Sequence, residues 1–253
     1  MRLSAFDYNY LDANRIFMAV SDRGEYLERR DVAIVCCGMP VAMLNWGFLK
    51  PPYDDLGGTA ASVRSYFADR KLDFRLTFRG DQRDSVRALE AGGWHRKSEP
   101  TPAMTLAMPT TLPTPPSALE IQEVRTPAEL VAYREAAFRG FGFPVAGARI
   151  FLNDRLLALP EVRLYAGLVE GMAVATSMLV ATGAVAGIYW VATVEEQRGR
   201  GYGEALTWAA VAGGRELGCR HASLQASKLG RPVYARMGFE HVLDYEYLHP
   251  PEP

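Results

Sequence analysis

Apolar and polar positions along the chain fall into two successive runs of strands and helices. In the first run, Asp31 to Cys37 (DVAIVCC) and Pro40 to Leu49 (PVAMLNWGFL) are near-continuously apolar. They predict two strands meeting at Gly38-Met39 in a tight hairpin. Leu72 to Arg79 (LDFRLTFR) alternates apolar and charged residues, the period of a strand with one wet face. Helices are expected around Tyr10 to Val20, over Thr59 to Arg70, and from an Asp81 cap through Ala91. Gly92-Gly93-Trp94 then leads to a last strand near Pro102 to Met108.

The second run has the same order of elements. Leu119 to Val124 predicts a strand, Thr126 caps a helix over 128 to 138, and GFGFP (140 to 144) breaks it. A further helix is expected over Ala148 to Leu157, with strands at Val162 to Val169, Met172 to Ala181 and Ala184 to Thr193. Helix Glu204 to Leu217, closed at Gly218, runs into strand Arg220 to Ala226, then a helical stretch in Ser227 to Phe239. Between the two runs, PTTLPTPPS (109 to 117) holds four prolines and reads as a linker. The expected organisation is residues 1–110, a linker at 111–117, and residues 118–253.

Candidate chemistry concentrates where strand Gly187 to Thr193 passes through an acidic turn into Arg198, Gly199, Arg200, Gly201, Tyr202, Gly203. Glycines at the mouth of a helix let backbone N–H groups approach an anion, and the helix terminus adds about half a positive charge. A dinucleotide fingerprint would place glycine where Glu204 stands, and a Walker A loop would need Gly-Lys-Ser/Thr. What remains is Arg-x-x-Gly-x-Gly, on Arg198, Gly201 and Gly203, between a strand and a helix. This resembles the pyrophosphate loop of the GNAT acyltransferase superfamily. Tyr234 lies four residues before Gly238-Phe239, as in the last helix of that superfamily.

The resemblance implies a mixed α/β acyl-CoA N-acyltransferase (GNAT) fold, α+β in class, with acetyl-CoA as cosubstrate and no metal. It places cofactor contacts on Arg198, Gly199, Arg200, Gly201, Tyr202, Gly203 and Glu204. The exposed backbone of Val191, Ala192 and Thr193 would pair with the pantetheine arm and supply an oxyanion donor. Ser227 stands where the family often has an asparagine on the cofactor. Tyr234 is the expected general acid, a phenol able to protonate a departing thiolate. Many relatives carry a glutamate base on the fourth strand, but Ile188, Tyr189, Trp190 and Val191 occupy it here. Tyr165, Tyr189, Trp190 and Phe143 are either acceptor-pocket walls or core aromatics. The first run, with PPYDDLGG before its helix and no such loop, reads as a degenerate repeat that has lost the cofactor site.

Composition narrows the partners. A net charge of −1 over 253 residues gives no global field for nucleic acid or an anionic membrane. Cys36, Cys37 and Cys219 form no CxxC pair and fit a reducing cytoplasm, and the four histidines are scattered. The 24 uncharged residues from Gly171 to Val194 are rich in Ala, Gly, Thr and β-branched residues, and read as two adjacent buried strands rather than a membrane span. The function expected is acetyl transfer to an amine of a small molecule or peptide, in the cytoplasm. The alternatives are an acetyl-CoA-binding sensor without turnover and a transferase in which both halves work. Acceptor identity and assembly state, a homodimer among the options, stay open.

Overall fold

The computed structural model describes residues 3–252. In the first half, α1 (Ala5–Val20) precedes β1 (Glu25–Glu28), β2 (Val32–Cys36), β3 (Asn45–Leu49), α2 (Leu56–Asp69), β4 (Arg75–Arg79), α3 (Arg83–Ala91) and β5 (Thr101–Ala107). The second half runs β6 (Glu120–Glu123), α4 (Pro127–Phe141), α5 (Ala148–Phe151), β7 (Val162–Val169), β8 (Met172–Thr182), β9 (Val185–Thr193), α6 (Tyr202–Glu216), β10 (His221–Gln225), α7 (Arg231–Arg236) and β11 (Glu240–Leu248).

All eleven strands join one mixed sheet in the order β1-β2-β3-β4-β11-β5-β10-β9-β8-β7-β6. The stretch β3-β4-β11-β5-β10-β9 reads the same from either end. β3 is parallel to β4 and β9 to β10, while β4-β11, β11-β5 and β5-β10 are antiparallel. Each half therefore lends its last strand to the other. β5 fills the place beside β10, and β11 fills the place beside β4. The uncharged 171–194 stretch is the antiparallel β8-β9 pair, and no helix among the described residues is long and apolar enough to cross a membrane.

Helices cover both faces. α1, α4 and α5 bury Leu11, Ile16, Phe17, Tyr133, Phe138 and Phe151 in one core that spans both halves. On the other face, α6, α7 and the residue closing α7 bury Leu206, Val211, Tyr234 and Met237. A separate first-half core gathers Val63, Phe67, Leu76 and Phe78.

Local chemistry explains where the boundaries moved. β3 begins at Asn45 rather than Pro40 because Ala42–Leu44 is a 3-10 turn. The Asn45 side chain accepts from the Cys37 N–H (2.9 Å) and donates to the Met39 carbonyl (2.6 Å), so the β2-β3 connection is a stapled loop and not a two-residue hairpin. Asp81 does not cap α3: its carboxylate is drawn to Arg79 (3.1 Å), and Gln82 stands at the N-cap without a side-chain capping bond, its amide turned to Tyr53 and the Leu49 carbonyl. The expected helix over 148–157 stops at Phe151, because Asn153 turns to cap a 3-10 turn (Asp154–Ala158) through the Arg155 N–H. Thr126, by contrast, caps α4 in a full capping box with Glu129. At the head of α2, Asp55 accepts from the Gly58 N–H (2.9 Å), so a carboxylate of the chain itself occupies the N-terminus that would otherwise face an anion.

Candidate active site

The site lies where two parallel strands part. β9 pairs with β10 only from Val185 to Gly187, opposite His221 to Ser223. From Ile188 to Thr193 the β10-facing edge of β9 has no strand partner among the described elements. On its other edge, β9 carries a bulge against β8, where Tyr189 faces Met178 but Ala192 faces Thr176. Trp190 occupies the bulge with φ at 51°, and the Thr176 hydroxyl donates to its carbonyl (2.8 Å). The parting leaves backbone groups of Val191, Ala192 and Thr193 along one wall of a cavity of about 610 Å³.

The opposite wall is the glycine loop and the first turn of α6. Gly199 and Gly201 sit at φ 78° and 79°, a left-handed geometry that a side chain would strain. Gly201 is the N-cap of α6, and no side chain caps it. The first helical bond is from the Ala205 N–H to the Gly201 carbonyl (3.0 Å), so the amides of Tyr202, Gly203 and Glu204 have no intrahelical acceptor. This differs from the self-capped α2 of the first half. The exposed donors and the positive end of α6 fit a diphosphate.

Of the sequence-predicted residues, Val191, Ala192, Thr193, Arg198, Gly199, Gly201, Tyr202, Gly203, Glu204, Ser227 and Tyr234 all line this one cavity. Arg200 is exposed and outside the lining. Arg198 does not present a free guanidinium: its Nη2 donates to the Gly140 carbonyl (2.9 Å) and its Nε to that of Thr193 (3.3 Å). Ser227 Oγ accepts the Gly230 N–H (3.1 Å), which shapes the entry to α7 and leaves the hydroxyl proton to donate. Helix α7 starts only at Arg231, with Pro232 in its first turn, so Ser227 lies on the loop before it.

Tyr234 is 8% exposed, its ring packed over Gly230 and meeting Phe239 edge-on at 5.8 Å. Burial pushes its phenol up to about 12, while the Thr207 hydroxyl acts in the opposite direction. A phenol so held remains protonated throughout the neutral range. Glu195 and Glu196 head away into the 3-10 turn, with Glu196 paired to Arg139 (3.1 Å).

The four aromatic residues left open by the sequence divide cleanly. Tyr165 packs beneath α6, its hydroxyl facing Gly213. Tyr189 donates to Asn9 Oδ1 on α1 (2.7 Å) and meets Phe17 edge-on. Trp190 and Phe143 instead join Phe138 and Phe141 beside the cavity. Sequence reasoning missed Gly140, Phe141, Gln197, Leu229, Gly230, Val233 and Arg236, which complete the lining. Phe141 was visible within GFGFP; nothing in the sequence showed that the end of α4 closes on β9.

Residues 120–239 match the sequence model of the Acetyltransferase (GNAT) family. Among curated proteins, none matches the chain. Among solved structures, the chain is similar to a GCN5-related N-acetyltransferase from Kribbella flavida, with a TM-score of 0.72 and 17% identity over 96% of this chain and 95% of that one. It is also similar to a GCN5-related N-acetyltransferase from Sphaerobacter thermophilus (TM-score 0.68, 20% identity, 90% and 77% covered). A tandem GNAT protein from the clavulanic acid biosynthesis pathway gives a TM-score of 0.62 at 16% identity, with 97% and 96% covered. At these identities the likeness is one of fold.

Proposed function

We propose, from the premise that residues 120–239 are a domain of the GNAT acetyltransferase family, that the chain transfers an acetyl group from acetyl-CoA directly to an amine. The observation that carries this reading is the uncapped, left-handed glycine cradle at the head of α6, opening into the same cavity as a buried, protonated tyrosine.

In this reading the amides of the loop and of Tyr202 to Glu204 grip the pyrophosphate, with the α6 terminus adding its partial positive charge. The unpaired edge at Val191 to Thr193 aligns the pantetheine arm and offers an N–H to the thioester oxyanion. Tyr234 donates a proton to the departing thiolate, an assistance typically worth ~10² to 10⁴ in rate. The acceptor amine of a small molecule or peptide enters from the α4 side. The self-capped α2 supports a purely structural role for the corresponding place in the first half.

One observation favours a second reading, an acetyl-CoA sensor without turnover. The single carboxylate among the described cavity residues is Glu204, in the first turn of α6 beside the phosphate cradle, and not where an amine would be deprotonated. Calorimetric titration with acetyl-CoA, followed by thiol release across an amine panel, separates the two. Binding with free thiol produced on addition of an amine supports the transferase. Binding without thiol under every amine supports the sensor, and no binding removes both.

A further inference from the structure

Beside the β9 wall of the cavity stands a cluster of four rings. Phe141 stacks on Phe143 (5.8 Å between centroids, 13° between planes), Phe138 stacks on Trp190 (5.5 Å, 15°), and Phe141 meets Trp190 edge-on (5.6 Å, 89°). Phe138 is the buried base of the cluster at 3% exposed. Phe141 is 43% exposed and lines the cavity together with Val191 and Ala192. An aromatic ring braced from two sides yet open to a cavity is a preformed flat surface rather than a core residue.

The bulge supports the same reading. Trp190 holds φ at 51°, a conformation costly for a bulky residue, and strain of this kind concentrates at ligand-binding positions. The Thr176 hydroxyl bond to its carbonyl and the Phe138 ring keep it there. Charge decides what kind of amine fits. Among the described residues of the cavity, Arg198 and Arg236 are cationic, and the only carboxylate, Glu204, is at the phosphate end. Among the described lining residues, none beside Phe141 would give an alkylammonium a counter-charge or a base, and the nearby Glu196 carboxylate is paired to Arg139.

We propose that the acceptor is a primary aromatic amine, its ring seated against Phe141, which Trp190 and Phe143 brace from behind. The proposal rests on the acetyl-transfer reading. The nitrogen lone pair of such an amine is partly delocalised into its ring, so the amine is far less basic than an alkylamine and arrives neutral without a general base. The nitrogen forms a bond to the thioester carbonyl carbon, the C–S bond breaks, and sulfur departs with the electron pair. Tyr234 protonates the thiolate, the nitrogen releases one proton to water, and water returns one to Tyr234. The products are an N-aryl acetamide and the free thiol of CoA.

The test is thiol release by the full chain with acetyl-CoA and three acceptors: a ring-substituted aniline, cyclohexylamine of similar size, and spermidine. The expected kcat/KM for the aniline exceeds both others by at least about tenfold. Phe141→Ala is expected to raise KM for the aniline about tenfold, the scale of one lost aromatic contact. Phe141→Leu, which keeps the bulk, should raise it about threefold. KM for acetyl-CoA should rise less than KM for the aniline in both variants. Preference for cyclohexylamine or spermidine, or an aniline KM insensitive to both variants, overturns the proposal while leaving acetyl transfer standing. Absence of thiol release with every amine overturns both.

Discussion

Arg198 and Gly140 are bound across the cavity mouth, the guanidinium Nη2 donating to the glycine carbonyl at 2.9 Å while Nε reaches the Thr193 carbonyl at 3.3 Å. This cation fastens the end of α4 to the end of β9. A Cβ at residue 140 would stand 2.8 Å from the Ala192 Cβ, so the fastening depends on glycine there. Arg198→Ala is expected to weaken acetyl-CoA binding by about tenfold, near the lower value of a single hydrogen bond from a charged donor. Arg198→Lys should not restore it, since a compact ammonium cannot match the planar fork that reaches both carbonyls. Calorimetric titration checks both variants. Equal affinities for Arg198→Ala and the parent would show that the clasp plays no part in binding.

Gly201→Glu places a charge and a side chain in the cradle, at a residue whose φ is 79° and which lies within reach of Pro116. Acetyl-CoA binding should fall beyond detection, with the melting temperature lowered by only a few degrees because the position is exposed. The companion change Asp55→Ala, at the head of α2, should cost about 1 kcal/mol of stability through loss of a cap and leave affinity as it was. If Gly201→Glu binds acetyl-CoA normally, the diphosphate lies elsewhere.

Tyr234→Phe should lower kcat by roughly a hundredfold or more and leave KM for acetyl-CoA near its parent value, since a transition-state proton is lost and no ground-state contact. The phenol sits at about 12 in the folded chain against 10 in model compounds. The sign follows: a raised value favours the protonated form, so the stabilisation is complete below pH 10 and is lost as pH rises through about 12. The acid form also persists over that range. The kcat profile of the parent should therefore show no falling limb from Tyr234 below about pH 11, and a fall centred near pH 8 would assign the proton to another group.

The candidate cavity was legible in the sequence because its loop is built on glycines, and glycine announces backbone geometry. Gly201 and Gly203 stood out because Arg-x-x-Gly-x-Gly resembles the GNAT pyrophosphate loop, and Ser227 and Tyr234 came from the same resemblance, through their places before Gly238-Phe239. Arg198 was located, but its work was not: a guanidinium before a phosphate loop reads as a counter-charge until its acceptors at Gly140 and Thr193 are seen. The element order was equally legible, β7 running from Val162 to Val169 as the pattern predicts. Where a polar side chain bonds to a partner other than the one its local pattern suggests, the pattern failed. Asp81 answers Arg79, and Asn45 staples a loop to Asp73. Strand β1 was invisible because EYLE is mostly exposed at the sheet edge and shows no apolar alternation. The exchange of β5 and β11 leaves no mark in either strand, since each finds an equivalent antiparallel neighbour on whichever side it pairs.

That exchange makes a prediction about the halves. Residues 118–253 alone would lack β5, which lies between β10 and β11 and pairs with both, Thr105 facing Ser223 on one edge and Glu240 on the other. β11 would then lose its partner on one side and β4 on the other, since Tyr245 to Leu248 pair with Arg79 to Leu76. The separated half would also uncover the face of β8 and β9 under α1, where the buried Asn9 amide donates to the Val180 carbonyl at 2.9 Å. Unpaired sheet edges and an uncovered apolar face both favour aggregation. Residues 118–253 expressed alone should be insoluble or lack a cooperative thermal transition, and co-expression with residues 1–117 should restore a soluble complex that binds acetyl-CoA. A truncated half that folds cooperatively and binds acetyl-CoA with parent affinity would mean that the strand borrowed from the first half is dispensable to the site it abuts.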